Sequence, residues 1–447
     1  MAFQARNALR SFVGDSGRGI QPRRLDRAEA LCEISPPMRI LYLSQYFPPE
    51  MGAPAARVFE LSREWVRLGH EVEVLTGFPN HPTGVVPPEY RGELWRRERV
   101  DGIDVLRAPI YAAPNRDLAR RSANYLSYAL SASLVGPLLA RRPDVLIATS
   151  PQFLTGVAGF WLSRLFRCPF VFEVRDLWPR SIVAVGALPE SSPLVRGLEV
   201  VEQALYRAAD RIVVVTDSFL DEIAAHGIDR AKLAVVKNGV DLELFCPMPK
   251  ENAQRQRFGL SGKFVATYVG THGLAHGLGT ILDAAERLRD DPRFAFLLVG
   301  EGAEKAVLKA RAASLGLANV RFVDQQPRAV IAEIVAASDV CLVLLRGKEL
   351  FKSVIPSKIF EFMGGGRPIL MGVEGEARAL LGESGGGVCF PPEDAGALVA
   401  RLRELALDPT RLEALGRAGR AHVEENFSRP ALAQRYLEIL RGLTQRG

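Results

Sequence analysis

Apolar and polar positions alternate between two periods along this chain, and the periods change at turn residues. Arg39–Ser44 is a short apolar run of the kind that forms a buried parallel strand. Ala55–Leu68 then repeats its apolar positions at helical spacing and is closed by Gly69, and His70–Thr76 alternates as a second strand. Strands are expected again at 144–149, 170–174 and 211–216, with helices at 153–166 and about 193–208. The segment 232–241 ends in the turn pair Asn238-Gly239. Residues 242–261 are polar and irregular, hold Pro247 and Pro249, and read as a linker. A second series follows: strands at 263–269, 294–299, 320–323 and 340–345, a helix at 278–288, and a late strand at 385–390. Helices at 393–407, 410–425 and 429–443 close it. Strands alternating with helices in both halves predict an α/β protein of two doubly wound parallel-sheet domains facing each other. The boundaries expected are 38–241 and 262–428, with 429–447 forming a last helix that returns to the first domain.

Residues 1–37 break the pattern. They are Arg-rich, lack apolar periodicity, end in Pro36-Pro37 and have no long apolar run, so a disordered tail is expected rather than a secretory signal. Met38 directly precedes the first convincing strand and would serve as an initiator. Residues 122–140 contain no charge and are flanked by Arg120-Arg121 and Arg141-Arg142. Three readings stay open for them: a membrane span, a helix dipping into a membrane interface, and a helix docked on the sheet.

Charge adds to this picture. The formal net charge is +6, and residues 91–142 hold ten arginines against five acids. Such a surface suits anionic lipid or a phosphate-bearing substrate. Nucleic acid fits less well, because aromatic residues are not interleaved with the basic ones. The five cysteines are scattered without metal-ligand spacing, which suits a reducing, cytoplasmic setting. The six histidines form no ligand cluster, so no metal is expected.

The candidate chemistry centres on residues 351–370. A polar turn, Pro356-Ser357-Lys358, leads into a short apolar helix carrying Glu361, and three glycines stop it. A helix start suits phosphate, Lys358 adds a charge there, and Glu361 is placed to accept two hydrogen bonds from a ribose diol. The competing reading is an ordinary turn-helix unit with Glu361 facing water. Arg175 and Asp176 sit at the carboxyl end of the strand 170–174, where open α/β sheets bind ligands; a local ion pair is the alternative. Gly52 lies near a helix start, where backbone approaches a ligand closely. No G-x-G-x-x-G follows the first strand, which argues against a dehydrogenase.

Taken together, several marks resemble the retaining family 4 glycosyltransferases of the GT-B fold. They are Pro48-Pro49-Glu50-Met51-Gly52, Leu68-Gly69-His70-Glu71-Val72, Val236-Lys237-Asn238-Gly239-Val240-Asp241, Val299-Gly300-Glu301-Gly302, and Glu361-Phe362-Met363 leading to Gly366-Arg367-Pro368-Ile369. The segments 76–82, 175–179 and 355–361 are similar to a subgroup that transfers amino-sugars such as N-acetyl-fucosamine in bacterial surface polysaccharide assembly. The resemblance implies that Glu361 holds the donor ribose and that Gly52 lies near the diphosphate. The family's first glutamate falls on Ser353, its usual Arg and Lys on Thr271 and His276, and its histidine on Arg175. Donor contacts are therefore expected from Gly52, Lys237, Gly270, Thr271, His272, Ser353, Ser357, Lys358 and Glu361, and catalytic ones from Arg175 and Asp176. The activity implied is metal-independent sugar transfer, with retention, from a nucleoside-diphosphate donor to a lipid-linked polysaccharide precursor such as that of O-antigen or exopolysaccharide. The setting implied is the inner membrane face. Two rivals remain at this point: a nucleotide-sugar 2-epimerase and a non-catalytic nucleotide-sugar-binding protein.

Overall fold

The computed structural model describes residues 36–445 except 82, 114–117, 151, 185 and 187. The tail expected over 1–37 therefore lies, apart from Pro36 and Pro37, outside the described residues. The first domain contains β1 (Arg39–Leu43), α1 (Ala53–Arg67), β2 (Glu71–Gly77), β3 (Arg96–Val100), β4 (Ile103–Ala108), α2 (Leu118–Leu139), β5 (Val145–Thr149), α3 (Leu154–Phe166), β6 (Phe170–Val174), α4 (Arg180–Ala184), α5 (Pro193–Ala208), β7 (Arg211–Val214), α6 (Asp217–Ala225) and β8 (Leu233–Val235). The second contains α7 (Ala253–Arg257), β9 (Phe264–Val269), α8 (Gly279–Arg287), β10 (Phe294–Val299), α9 (Lys305–Ser314), β11 (Val320–Val323), α10 (Arg328–Ala336), β12 (Val340–Leu344), α11 (Lys358–Gly364), β13 (Ile369–Gly372), α12 (Glu376–Ser384), β14 (Gly387–Cys389), α13 (Ala395–Ala406) and α14 (Pro409–Asn426). Helix α15 (Arg429–Thr444) ends the described chain.

The eight-stranded sheet runs β3-β4-β2-β1-β5-β6-β7-β8, and the six-stranded sheet runs β11-β10-β9-β12-β13-β14. Every pairing is parallel except β3 with β4. Strand order reverses beside β1 in one sheet and beside β9 in the other, which opens a crevice at their carboxyl ends. Strands such as β1, β5, β6 and β10 are continuous apolar runs because helices cover both faces. Helix α15 leaves the second domain and packs on α1. Trp65 Nε1 donates to the Ala433 carbonyl at 3.0 Å, and the Trp65 ring meets Tyr436 edge-on at 5.3 Å.

The structure differs from the sequence reading in the arginine-rich region. Residues 96–108 form the hairpin β3–β4, whose charged alternation belongs to an edge strand. Arg107 is buried on β4 and pairs with Glu98 at 2.6 Å. Arg97 pairs with Glu73 at 2.7 Å and Arg141 with Asp104 at 3.0 Å. Part of the local arginine content is thus committed to ion pairs, one of them on a buried guanidinium. The stretch 242–261 is also more than linker. Phe245 is buried, and Asn252 caps α7, whose buried Arg255 pairs with Asp339 at 3.1 Å. Among the described residues no helix is long and apolar enough to cross a membrane. Helix α2 instead buries Tyr128 and Ala132 against the sheet and leaves Leu126, Leu130, Leu134 and Leu138 exposed.

Candidate active site

The loops after β9 and β10 approach each other backbone to backbone. Gly270 and Gly300 both hold positive φ, at 141° and 143°, and a Cβ on Gly300 would stand 2.0 Å from the Gly270 carbonyl oxygen. A Cβ on Gly270 would stand 2.6 Å from Lys358 Nζ, so glycine opens the space into which that lysine reaches. The Lys358 ammonium sits 3.9 Å from the centroid of the Tyr268 ring, buried and without a hydrogen-bond acceptor. Burial pushes its pKa down to about 7, with Glu361 opposing. The ring of His276 meets Tyr268 edge-on at 6.1 Å, and that of His272 lies tilted at 5.9 Å. His272 is fully buried and neither of its ring nitrogens has a partner. Burial and the nearby lysines push its pKa to about 4, and burial with Lys358 pushes that of His276 to about 3, so both rings are neutral. The result is a cradle in which the Lys358 ammonium has an aromatic face and two neutral imidazoles around it and no hydrogen-bond acceptor.

One turn along α11 from Lys358, Glu361 faces the other domain. Its carboxylate pairs with Arg328, the first residue of α10, at 3.0 Å. Arg328 also reaches Glu60 of α1 at 2.7 Å, and Glu60 pairs with Arg429 of α15 at 2.6 Å. Burial raises the Glu361 pKa, Arg328 lowers it, and Glu60 raises it further.

The first domain's side of the crevice is built on the loop after β1 and the turn after β6. Gly52 precedes α1 with φ 147°. Arg175 donates to the Ala53 carbonyl at 3.0 Å, while Gln325 of the second domain donates to the Met51 carbonyl at 3.4 Å. The remaining Arg175 nitrogens, Nε and Nη1, are buried without partners, and burial pushes the guanidinium down to about 10. Asp176 is hydrogen-bonded to Ser181 and the Leu177 amide rather than ion-paired with Arg175, and burial raises it to about 6. In the β1 loop, Glu50 accepts the amides of Asn80 and His81 at 2.9 Å each, and burial lifts it to about 7.

The residues picked from sequence fall into three groups. Gly270, Thr271, His272, Ser357, Lys358 and Glu361 gather on the loops and helix of the cradle. Thr271 offers its carbonyl to the Tyr268 hydroxyl at 2.8 Å, and Ser357 occupies the residue before α11 without capping it. Gly52 and Arg175 meet on the facing loop. The others are engaged elsewhere. Lys237 pairs with Asp217 at 2.7 Å and Glu376 at 3.4 Å, so it is no spare cation, and Ser353 bonds to the Leu350 carbonyl at 2.8 Å. Sequence reading passed over Arg328, Glu60 and Arg429. One signal was available: a cation at the first position of a helix is disfavoured there unless something pairs with it. Among the described residues no group of three or more His, Cys, Asp or Glu is arranged to hold a metal ion.

Two facing Rossmann-like domains with this crevice make up the GT-B fold. A glycosyl transferase 4-like domain model matches residues 52–239, and a glycosyl transferases group 1 model matches residues 250–422. The probable glycosyltransferase WbjE of Pseudomonas aeruginosa is 30% identical over 311 residues, covering 68% of this chain and 76% of that protein. The putative colanic acid biosynthesis glycosyl transferase WcaI of Escherichia coli K12 is 24% identical over 420 residues, covering 91% of this chain and all of that protein. The chain belongs to the family 4 glycosyltransferases. In fold it is also similar to sucrose-phosphate synthase from Thermosynechococcus elongatus (TM-score 0.72, 19% identity, 92% of this chain and 100% of that one). A second neighbour is Anabaena HepE, solved with UDP and glucose (TM-score 0.67, 19% identity, 91% of this chain and 100% of that one).

Proposed function

We propose that this glycosyltransferase binds a nucleoside-diphosphate sugar in the Lys358 cradle and transfers the sugar, with retention, to a lipid-linked polysaccharide precursor. The observation that carries the reading is the Lys358 ammonium, buried against the Tyr268 ring with no acceptor of its own. A buried unpaired cation costs stability, and an arriving diphosphate supplies the missing partner. Glu361 accepts the ribose hydroxyls. Arg175, with two unpartnered nitrogens across the crevice, meets charge developing on the leaving diphosphate. Asp176 holds the turn that presents Arg175. A HepE structure solved in complex with UDP-glucose supports a nucleotide-sugar donor, and the colanic acid relative supports a polysaccharide acceptor. An N-acetylated deoxy sugar is the donor sugar favoured by the segments 76–82, 175–179 and 355–361.

Support for a lipid-linked acceptor comes from the outer face of the first domain. Leu126, Leu130, Leu134 and Leu138 are 51, 57, 70 and 81% exposed along one stripe of α2. Trp161 and Leu165 of α3 are exposed as well. Neither helix holds an acid, and Arg142, Arg164 and Arg167 are exposed nearby. An apolar stripe rimmed by arginines suits peripheral contact with an anionic bilayer. The test of function is a thermal-shift panel of UDP, GDP, dTDP and ADP. It is followed by nucleotide release with lipid-linked acceptors and NMR of the anomeric linkage formed. Acceptor-dependent release with retained configuration is expected. Donor consumption without nucleotide release would replace the reading with epimerisation.

A further inference from the structure

Arg328 is oddly placed for a surface arginine. It opens α10 behind Pro327, with no side-chain cap, at the end of a helix where positive charge is disfavoured. Three groups hold it there: Glu361 of α11 at 3.0 Å, Glu60 of α1 at 2.7 Å, and the face of Phe245 at 5.4 Å from the ring centroid. Glu361 belongs to the second domain and Glu60 to the first, so one guanidinium joins the candidate ribose acceptor to the opposite domain. Glu60 is itself buried and fixed from the other side by Arg429 at 2.6 Å, and the Arg429 amide in turn donates to the Val240 carbonyl between the domains at 3.1 Å. The chain Glu361–Arg328–Glu60–Arg429 therefore runs from the donor side of the crevice to the inter-domain connection.

We propose that Arg328 is a positioning residue for donor binding: it fixes the Glu361 carboxylate in one orientation and, through Glu60, makes that orientation depend on how α1 is seated. The inference rests on the assignment of Glu361 to the donor ribose. A guanidinium suits the task because its planar fork serves two carboxylates at once, which an ammonium does not. The groups facing Glu361 are Lys358 from its own helix, Arg328 from α10, Glu60 from α1 and Arg429 from α15. Removing Arg328 takes away the largest influence that holds Glu361 ionised and leaves Glu60 opposing it. Glu361 then protonates at a higher pH and stops accepting hydrogen bonds from both ribose hydroxyls.

The test is isothermal titration of the full chain between pH 5 and 8. The titrant is whichever of UDP, GDP, dTDP or ADP stabilises the wild type most. In R328Q the weakening relative to wild type should be several-fold at the acid end, where Glu361 without its guanidinium partner protonates first, and should shrink as pH rises. E60Q should move the acid limb the other way. R328K, which keeps the charge and loses the fork, should weaken binding by a similar factor at every pH. R328Q placed on top of E361Q should add almost nothing. Loss in E361Q with R328Q matching wild type at all pH values would overturn this inference alone. So would an R328Q loss that is the same at every pH and undiminished in the E361Q background, since that marks a merely structural role. Wild-type affinity in E361Q would overturn the ribose assignment and this inference together.

Discussion

Two buried cations in this molecule have opposite surroundings. Arg57, inside the first domain, pairs with Glu173 at 2.9 Å. It also donates to the Val236 carbonyl at 2.9 Å, the Lys237 carbonyl at 3.0 Å and Asn238 Oδ1 at 3.3 Å. Glu173 is filled in turn by the hydroxyls of Tyr42 and Thr149, each at 2.7 Å. Lys358 in the second domain has only the face of Tyr268. Burial works against both charges. The Arg57 site answers it with a complete set of acceptors, and that set pins the connection between the domains to α1. The Lys358 site leaves the demand open, which a stability role does not explain and an anionic ligand does. The environment, more than the charge, separates a structural cation from a binding one.

The contrast can be broken by substitution. Arg57→Met strips one partner from a fully desolvated pair and should cost about 3–5 kcal/mol in urea unfolding. Lys358→Met should do the reverse. The fold prefers the neutral lysine, because its pKa in the fold, about 7, lies below its ordinary range. The cost of charging it is thus present below pH 7 and fades as pH rises toward the ordinary lysine value. The variant should therefore melt higher than wild type at pH 6, and the gap should narrow to less than half by pH 9 and close only near the ordinary lysine value of 10.5. A Lys358→Met protein as crippled as Arg57→Met would make the two sites equivalent and sink the comparison. Arg175→Gln should lower kcat roughly 100-fold with little change in donor affinity, as expected for a group that meets developing charge. An equal loss in affinity alone would make Arg175 a ground-state contact. The smallest expected effect lies outside both sites. Leu134→Ser with Leu138→Ser should reduce flotation with anionic vesicles several-fold while leaving melting unchanged, since both side chains are already exposed. Unaltered flotation would remove the stripe from membrane contact.

Much of the fold was legible because parallel strands covered on both faces leave unbroken apolar runs; β6, β10, β11 and α5 fall within the residues that periodicity marks. The hairpin β3–β4 was not, since an edge strand reading Arg-Arg-Glu-Arg-Val imitates a solvated loop. Helices α6 and α7 were missed because each is short and its start depends on a cap, Thr216 and Asn252 respectively. In the site, Lys358 and Glu361 stood out because turn, cation and acid lie within one short stretch. Arg328 and Glu60 did not, because they meet across 268 residues of sequence. Glu60 reads locally as the polar side of an amphipathic helix. Lys237 misled in the opposite sense: its sequence neighbours left it looking free, while Glu376 reaches it from another domain.

The most direct test is the affinity of the preferred nucleoside diphosphate for wild type and Lys358→Met, measured by titration calorimetry from pH 6 to 9. The account predicts wild-type affinity that is steady below pH 7 and falls by up to about ten-fold per pH unit above it, with proton uptake on binding. Lys358→Met should bind roughly 100-fold more weakly at pH 6, about 2–3 kcal/mol, with no such fall. Equal affinities for the two proteins, or the same pH dependence in both, would contradict it.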